Sequence, residues 1–293
     1  MPTLLAAAAF VAGCPAVGNG QTASQTPPDA SAPRVRLSVG YEAHRDRLRY
    51  TFENPSNIDT PFLVPHNFVQ TYVGDNLWLA SSARYPLLAT FMKTEFAVAP
   101  EKRTVASDLD TFFDPDDTIV SGTDGDVSMR AFRFAQWSEG RLWNLSMRMG
   151  YVYRRDRTEF HSTERIVTHS HPASSSRAPI ATHETTISQV HEVPIGVTNQ
   201  RRLGGRWVMI AGADVSPVTL ARLTTILPEK YPGRDILFQA KVATLTATAE
   251  LVWQRARWPV TFSAVYGRTW SYRSASQFDR DVLQVGVHLG VMP

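Results

Sequence analysis

The segment VASDLDTFFDPDD, Val105 to Asp117, holds five aspartates in thirteen residues. Two of them, Asp108 and Asp110, stand at i and i+2. At the end of a strand that spacing projects both carboxylates from one face. Like charges so close tend to share a proton, which prepares one of them for acid–base work. Ordinary solvated loop acidity is the competing explanation. A calcium loop of the EF-hand kind is excluded by spacing, because it needs an oxygen at position five and glycine at six. Counting from Asp108 puts Phe112 and Phe113 there, and counting from Asp114 puts Ile119 at six. Asp114-Pro115-Asp116-Asp117 reads as turn chemistry, with the proline presetting the backbone. GTDGD, Gly122 to Asp126, reads as a turn too.

Histidines are the other candidates. His161, His169, His171, His183 and His191 fall in one polar stretch. His169 and His171, in THSHP, are spaced to share a strand face, but two imidazoles without a nearby third ligand make a poor metal site. Solvated loop histidines account for them equally well. No glycine-rich phosphate loop, nucleophile elbow or HExxH helix occurs. The sequence therefore implies no cofactor and no metal.

The elements that position these groups repeat with a period of two. In WNLSMRMGYVY, one face carries Trp143, Leu145, Met147, Met149, Tyr151 and Tyr153, the other Asn144, Ser146, Arg148, Gly150 and Val152. Such alternation marks a strand. The last segment sets Leu283, Val285, Val287, Leu289 and Val291 against Gln284, Gly286, His288 and Gly290. The first sets Val35, Leu37, Val39 and Tyr41 against Arg36, Ser38, Gly40 and Glu42. VATLTATAELVW and VTFSAVYGRTW alternate likewise. One face is apolar while the other stays small and polar, the inversion expected of a barrel in lipid.

Short joins at 83–87, 138–141, 203–206 and 254–258 alternate with longer polar segments at about 45–66, 100–126, 155–190, 217–235 and 273–281. Tight turns at one end and long loops at the other are the asymmetry of outer-membrane barrels. The expectation is an all-β, ten-stranded antiparallel transmembrane β-barrel with external loops and short periplasmic turns. A secreted β-sandwich is its main rival.

The chain of 293 residues has no apolar run long enough for a membrane helix. LLAAAAFVAG, Leu4 to Gly13, has the length of a signal-peptide core, although a basic segment before it is missing. Residues 1–20 are expected to be a signal peptide, 21–33 a proline-rich leader, and 34–293 the barrel. Cys14, the only cysteine, ends VAGC, which resembles a lipidation site; ordinary signal cleavage is the alternative. With no other cysteine, the mature body has no disulfide and no thiol chemistry. Net charge is +3, and four lysines (Lys93, Lys102, Lys230, Lys241) are far outnumbered by arginines. Arginine forks suit phosphate, yet no basic cluster is dense enough to argue for nucleic acid.

Ten strands, long external loops and an aspartate pair just past the third strand resemble the omptins, outer-membrane endopeptidases. RLSVGYEAHRDRLRY is similar to the omptin first strand, and TVASDLDTFF to the segment with that family's first aspartate pair. SGTDGD and VPIGVTNQRRLGGRW stand at comparable places. The resemblance implies Asp108 and Asp110 as catalytic residues, a bacterial outer-membrane location, lipopolysaccharide as lipid partner and activator, and basic peptides or proteins as substrates. It also implies an aspartate–histidine pair on the fourth long loop, and there this chain departs. Pro217 to Asp235 contains no histidine, and Pro228, Glu229 and Lys230 stand where the pair is expected. Lysine, protonated at neutral pH, is a poor base. Glu42 and Asp46 are acids near the expected specificity pocket, without a residue-for-residue match. Two classes stay open: an endopeptidase with a rearranged base, and a non-catalytic surface barrel binding peptide or lipopolysaccharide.

Overall fold

The computed structural model describes residues 34–52, 66–87, 90–113, 118–142, 145–161, 164–170, 173–179, 184–226, 228, 232–233, 235–255, 258–272 and 277–291. The expected signal peptide, leader and Cys14 lie outside them, as do Asp114 to Asp117.

Thirteen strands follow in order: β1 (Arg34–Phe52), β2 (His66–Leu87), β3 (Thr90–Phe113), β4 (Thr118–Leu142), β5 (Leu145–Phe160), β6 (Glu164–Ser170), β7 (Ala173–Pro179), β8 (Thr185–Glu192), β9 (Ile195–Gly204), β10 (Trp207–Ile226), β11 (Asp235–Trp253), β12 (Val260–Ser271) and β13 (Gln277–Val291). Every pairing is antiparallel, and β1 pairs β13, so the sheet closes into a ten-stave barrel. Closure leaves the wall no free edge. The sixth stave comes in two pieces, β8 and β9, both lying between β5 and β10. Prolines explain the break. Pro194 separates β8 from β9, and Pro217 sits at the register shift of β10. Neither has an N–H to give a ladder. The Ser216 hydroxyl accepts from Val193 N at 2.9 Å and repairs the gap. β6 and β7 form a hairpin joined to β4, beyond the closed wall.

The alternation read from sequence is borne out. Leu37, Tyr41, Met149, Leu283 and Val285 are exposed on the outside, while Glu42, His44, Asp46 and Gln284 are buried in the lumen. Boundaries differ. The joins expected at 83–87 and 138–141 fall later, at 88–89 and 143–144. The β9–β10 turn lies where expected, with Gly204 and Gly205 at φ of 113° and 56°, a backbone that favours glycine. At the other end the strands run further than expected. Much of the stretch 100–126 is ladder: β3 continues to Phe113, and the GTDGD segment is strand, with Gly122 opposite Leu109 and Asp124 opposite Ser107. Cross-strand pairing overrides its local turn chemistry.

Candidate functional site

Asp108 is inside β3, not beyond it. It faces the lumen, 4% exposed, with Gln70 of β2 and Thr123 of β4 as its cross-strand neighbours. Asp110 follows on the same strand, its backbone paired with Phe68 and Ser121; its side chain lies outside the described set. Beside Asp108, Tyr72 packs with Ala106, Val127 and Phe160 in an apolar cluster. The Tyr72 hydroxyl donates to Gln70 Oε1 at 2.9 Å. A second apolar cluster, Leu48, Tyr50, Ala221, Leu223, Phe238, Val242 and Phe278, fills another part of the upper lumen. A cavity with room for about one water is lined by Tyr72, Thr158, Thr186 and Ser188, with Asp46, Asp156 and Arg280 also at its wall. The Thr186 hydroxyl is buried with no hydrogen-bond partner among the described residues.

Beneath these clusters lies a lattice of charges. Arg280 reaches Asp46 in a forked contact and Asp156 at 2.9 Å. Arg154 lies 2.9 Å from Asp156 and 3.7 Å from Asp46. Lower still, Glu42 takes His288 at 3.2 Å and Arg133 at 3.4 Å, and the Arg133 guanidinium stacks 3.9 Å from the Trp78 ring centre. Removing one partner from a buried ion pair of this kind would leave an uncompensated charge in the lumen. Arg148 and Asp214 make another pair towards the short-connection end. Glu42 and Asp46, considered above as specificity acids, are thus neutralised inside the barrel rather than offered to a substrate.

The described histidines sit apart from one another. His161 shares a 2.8 Å hydrogen bond with Ser128, and His191 shares one of 2.7 Å with Tyr151, whose ring is on the outer wall. His169 is in β6, opposite Ile119. His44 is buried in the lumen between Glu42 and Asp46, its Nε2 without a hydrogen-bond partner among the described residues. His171, His183, Glu229 and Lys230 lie outside the described residues. Among those described, no three His, Cys, Asp or Glu side chains group as a metal site.

A feature that the sequence reading passed over lies on the outer wall. Towards the long-connection end, the apolar band gives way to cations: Arg45, Arg47 and Arg49 on β1, Arg130 on β4, Arg155 and Arg157 on β5, Arg222 on β10 and Lys241 on β11. Each is at an outward position between lumen-facing neighbours. Arg130 and Arg157 stand directly opposite each other in the β4–β5 ladder. Aromatic rings lie one outward position below, Phe132 under Arg130 and Tyr153 under Arg155, 6.0 Å apart. The arginines are scattered over the chain, so only the strand register gathers them; alternation within each strand was the available signal.

No protein-family model matches the chain, and no curated protein matches it by sequence. Among solved structures, OmpT, an outer membrane protease of Escherichia coli, aligns over 93% of this chain and 99% of its own, with a TM-score of 0.64 and 8% identity. The translocator domain of the autotransporter NalP of Neisseria meningitidis aligns over 88% of this chain and 89% of its own, at 11% identity and a TM-score of 0.28. The β domain of the Bordetella autotransporter BrkA aligns over 85% and 98%, at 9% and 0.33. Closure, the count of staves and near-complete mutual coverage with OmpT together give this chain the ten-stranded β-barrel fold of that protein.

Proposed function

We propose that this protein is a bacterial outer-membrane surface barrel, its longer loops outward, that grips the phosphates of lipopolysaccharide on its outer wall and does not carry out omptin-type hydrolysis. The carrying observation is the Arg130–Arg157 opposition. Like charges directly opposed across a ladder repel, and among the described residues the ion pair found for either is Arg157 with Glu159 at 3.7 Å. A bridging phosphate removes the repulsion and uses the guanidinium forks as they suit best. The aromatic rings immediately below are suited to the level where acyl chains meet headgroups. The test is lipopolysaccharide binding by the refolded barrel. Arg130→Ala/Arg157→Ala should weaken it about tenfold, and unchanged binding would sink the proposal.

A second reading, an endopeptidase acting on basic peptides, is favoured by one observation. Asp108 is a buried, lumen-facing carboxylate on the strand that also carries Asp110. Against it stand the neutralised Glu42 and Asp46 and the placement of His161 and His191. Cleavage of varied basic peptides, with and without lipopolysaccharide, separates the two. Activity that disappears in Asp108→Ala/Asp110→Ala would establish the enzyme.

A further inference from the structure

The outer wall breaks its own pattern on β2 and β3. Their ladder runs to Val73 opposite Val105 and resumes only at Leu79 opposite Val98. Between these points Gly74 to Trp78 have no ladder partner on β3. Side chains close the seam instead. The Thr104 hydroxyl donates to Val73 O at 2.6 Å, and Lys102 Nζ lies 2.5 Å from the Asp75 carboxylate. The Tyr41 hydroxyl donates to the same carboxylate, and Lys102 lies 5.6 Å from the centre of the Tyr41 ring. Glu101 and Arg103 flank Lys102 and are exposed.

What lies on either side of this polar seam matters more. Towards the short-connection end the wall is apolar and exposed, with Leu77, Leu79, Phe96 and Val98, as lipid tails require. On β1, β4, β5 and β10 the wall turns cationic beyond that band and carries the arginines described above. On β2 and β3 it turns polar at Asp75 and Lys102 and then apolar again: Val73 is 54% exposed, Val105 61% and Leu109 40%. An apolar patch separated from the lipid band by an ion pair is not accounted for by acyl chains. Such patches on a protein surface mark places where another protein sits.

We infer that this patch is where a second copy of the chain docks, through a two-fold contact centred on Asp75 and Lys102. The argument for a like partner is charge. A two-fold interface sets one patch against itself, so it must be self-complementary. This patch carries an anion and a cation side by side, repeated in Glu101 and Arg103. Rotation of one copy upon the other sets β2 against β3, so that each Lys102 meets the other's Asp75 and each Val73 meets the other's Val105. A partner of single charge would meet repulsion from half of the patch.

The full-length protein in lipid vesicles provides the test. A photo-crosslinking benzoylphenylalanine in place of Val105 should give a dimer, and the same residue in place of Leu220, on β10, should not. Asp75→Lys places two cations in the seam and Lys102→Asp two anions, so each variant alone should lose dimer about tenfold. Mixed in equal amounts, the two should form a mixed dimer, because one carries the charges that the other lacks. Dimer yields in the single variants equal to wild type would overturn the inference. So would crosslinks at position 105 that reach only lipid or an unrelated protein. If either charge variant fails to fold, judged by its migration with and without heating, the crosslink at Val105 in an otherwise unchanged chain still decides.

Discussion

Two pairs of arginines face each other across the same two strands, on opposite sides of the wall. Arg133 and Arg154 are directly opposed on the inner face of β4 and β5; Arg130 and Arg157 are directly opposed on the outer face, nearer the long-connection end. Inside, the repulsion is met by the chain itself, since Glu42 lies against Arg133, and Asp156 and Asp46 against Arg154. Outside, Glu159 at 3.7 Å from Arg157 is the acid found there. Identical chemistry is therefore satisfied from within in one place, whereas in the other the proposed phosphate would supply the missing counter-charge. The lumen is built to be closed and stable.

The sharpest way to break this contrast is to remove a cation from the inner lattice. Arg280→Met would leave the buried Asp46 and Asp156 with Arg154 as the cation that remains between them. Loss of one member of a buried ion-pair network costs roughly 3–5 kcal/mol. Urea unfolding of the barrel in detergent or vesicles should show that loss. A smaller effect would mean that Arg154, which touches both carboxylates, takes over the role. Next comes packing beneath the lattice. A Cβ on Gly196 would collide with Asp214 Oδ1 and the Ala213 carbonyl. Gly196→Ala should therefore push apart the Arg148–Asp214 pair and destabilise by roughly 1–3 kcal/mol, read in the same unfolding assay. Smaller still is the hydroxyl chain Thr219–Thr244–Thr269, with steps of 3.2 and 3.0 Å. Thr244→Val removes the middle link at nearly constant volume and should cost about 1 kcal/mol.

These cases show how far the residues alone could be followed. Alternation was legible because each stave has an exposed outer face and a lumen face, so Leu283 and Gln284, or Tyr41 and Glu42, declare themselves within a few residues. The polar inner face was legible as a class. Its wiring was not, because Arg280 meets Asp46 and Asp156 from 234 and 124 positions away. No local rule joins residues so distant. For the same reason Glu42 and Asp46 looked available when they are neutralised. Strand ends were misjudged where Gly122 to Asp126 has turn composition but is held by its ladder to β3. Asp108 and Asp110 were expected just beyond the third strand, whereas both lie inside it; Asp108 does face inward, yet its burial beside Tyr72 and Gln70 depends on neighbours that the period of two cannot name. The arginine ring escaped notice because density along the chain is the wrong measure for residues gathered around a circumference.

The smallest effect tests the outer side of the contrast most directly, because its sign is unusual. Arg130→Ala removes one of two opposed like charges from an exposed site, so without lipopolysaccharide the barrel should be as stable as wild type or more stable by a few tenths of a kcal/mol, the size of a cross-strand like-charge term. With lipopolysaccharide the order should reverse. Ligand binding stabilises the folded state in proportion to affinity, and wild type, with both guanidinium groups, gains more. A crossing of the two stabilities as lipopolysaccharide is added therefore separates a ligand site from a merely tolerated repulsion. Raised salt should shrink the difference in both conditions, since screening weakens the repulsion and the phosphate contact alike. If Arg130→Ala instead destabilises the lipid-free barrel, the outer pair is satisfied from within, as Arg133 and Arg154 are, and the distinction between the two faces of the wall disappears.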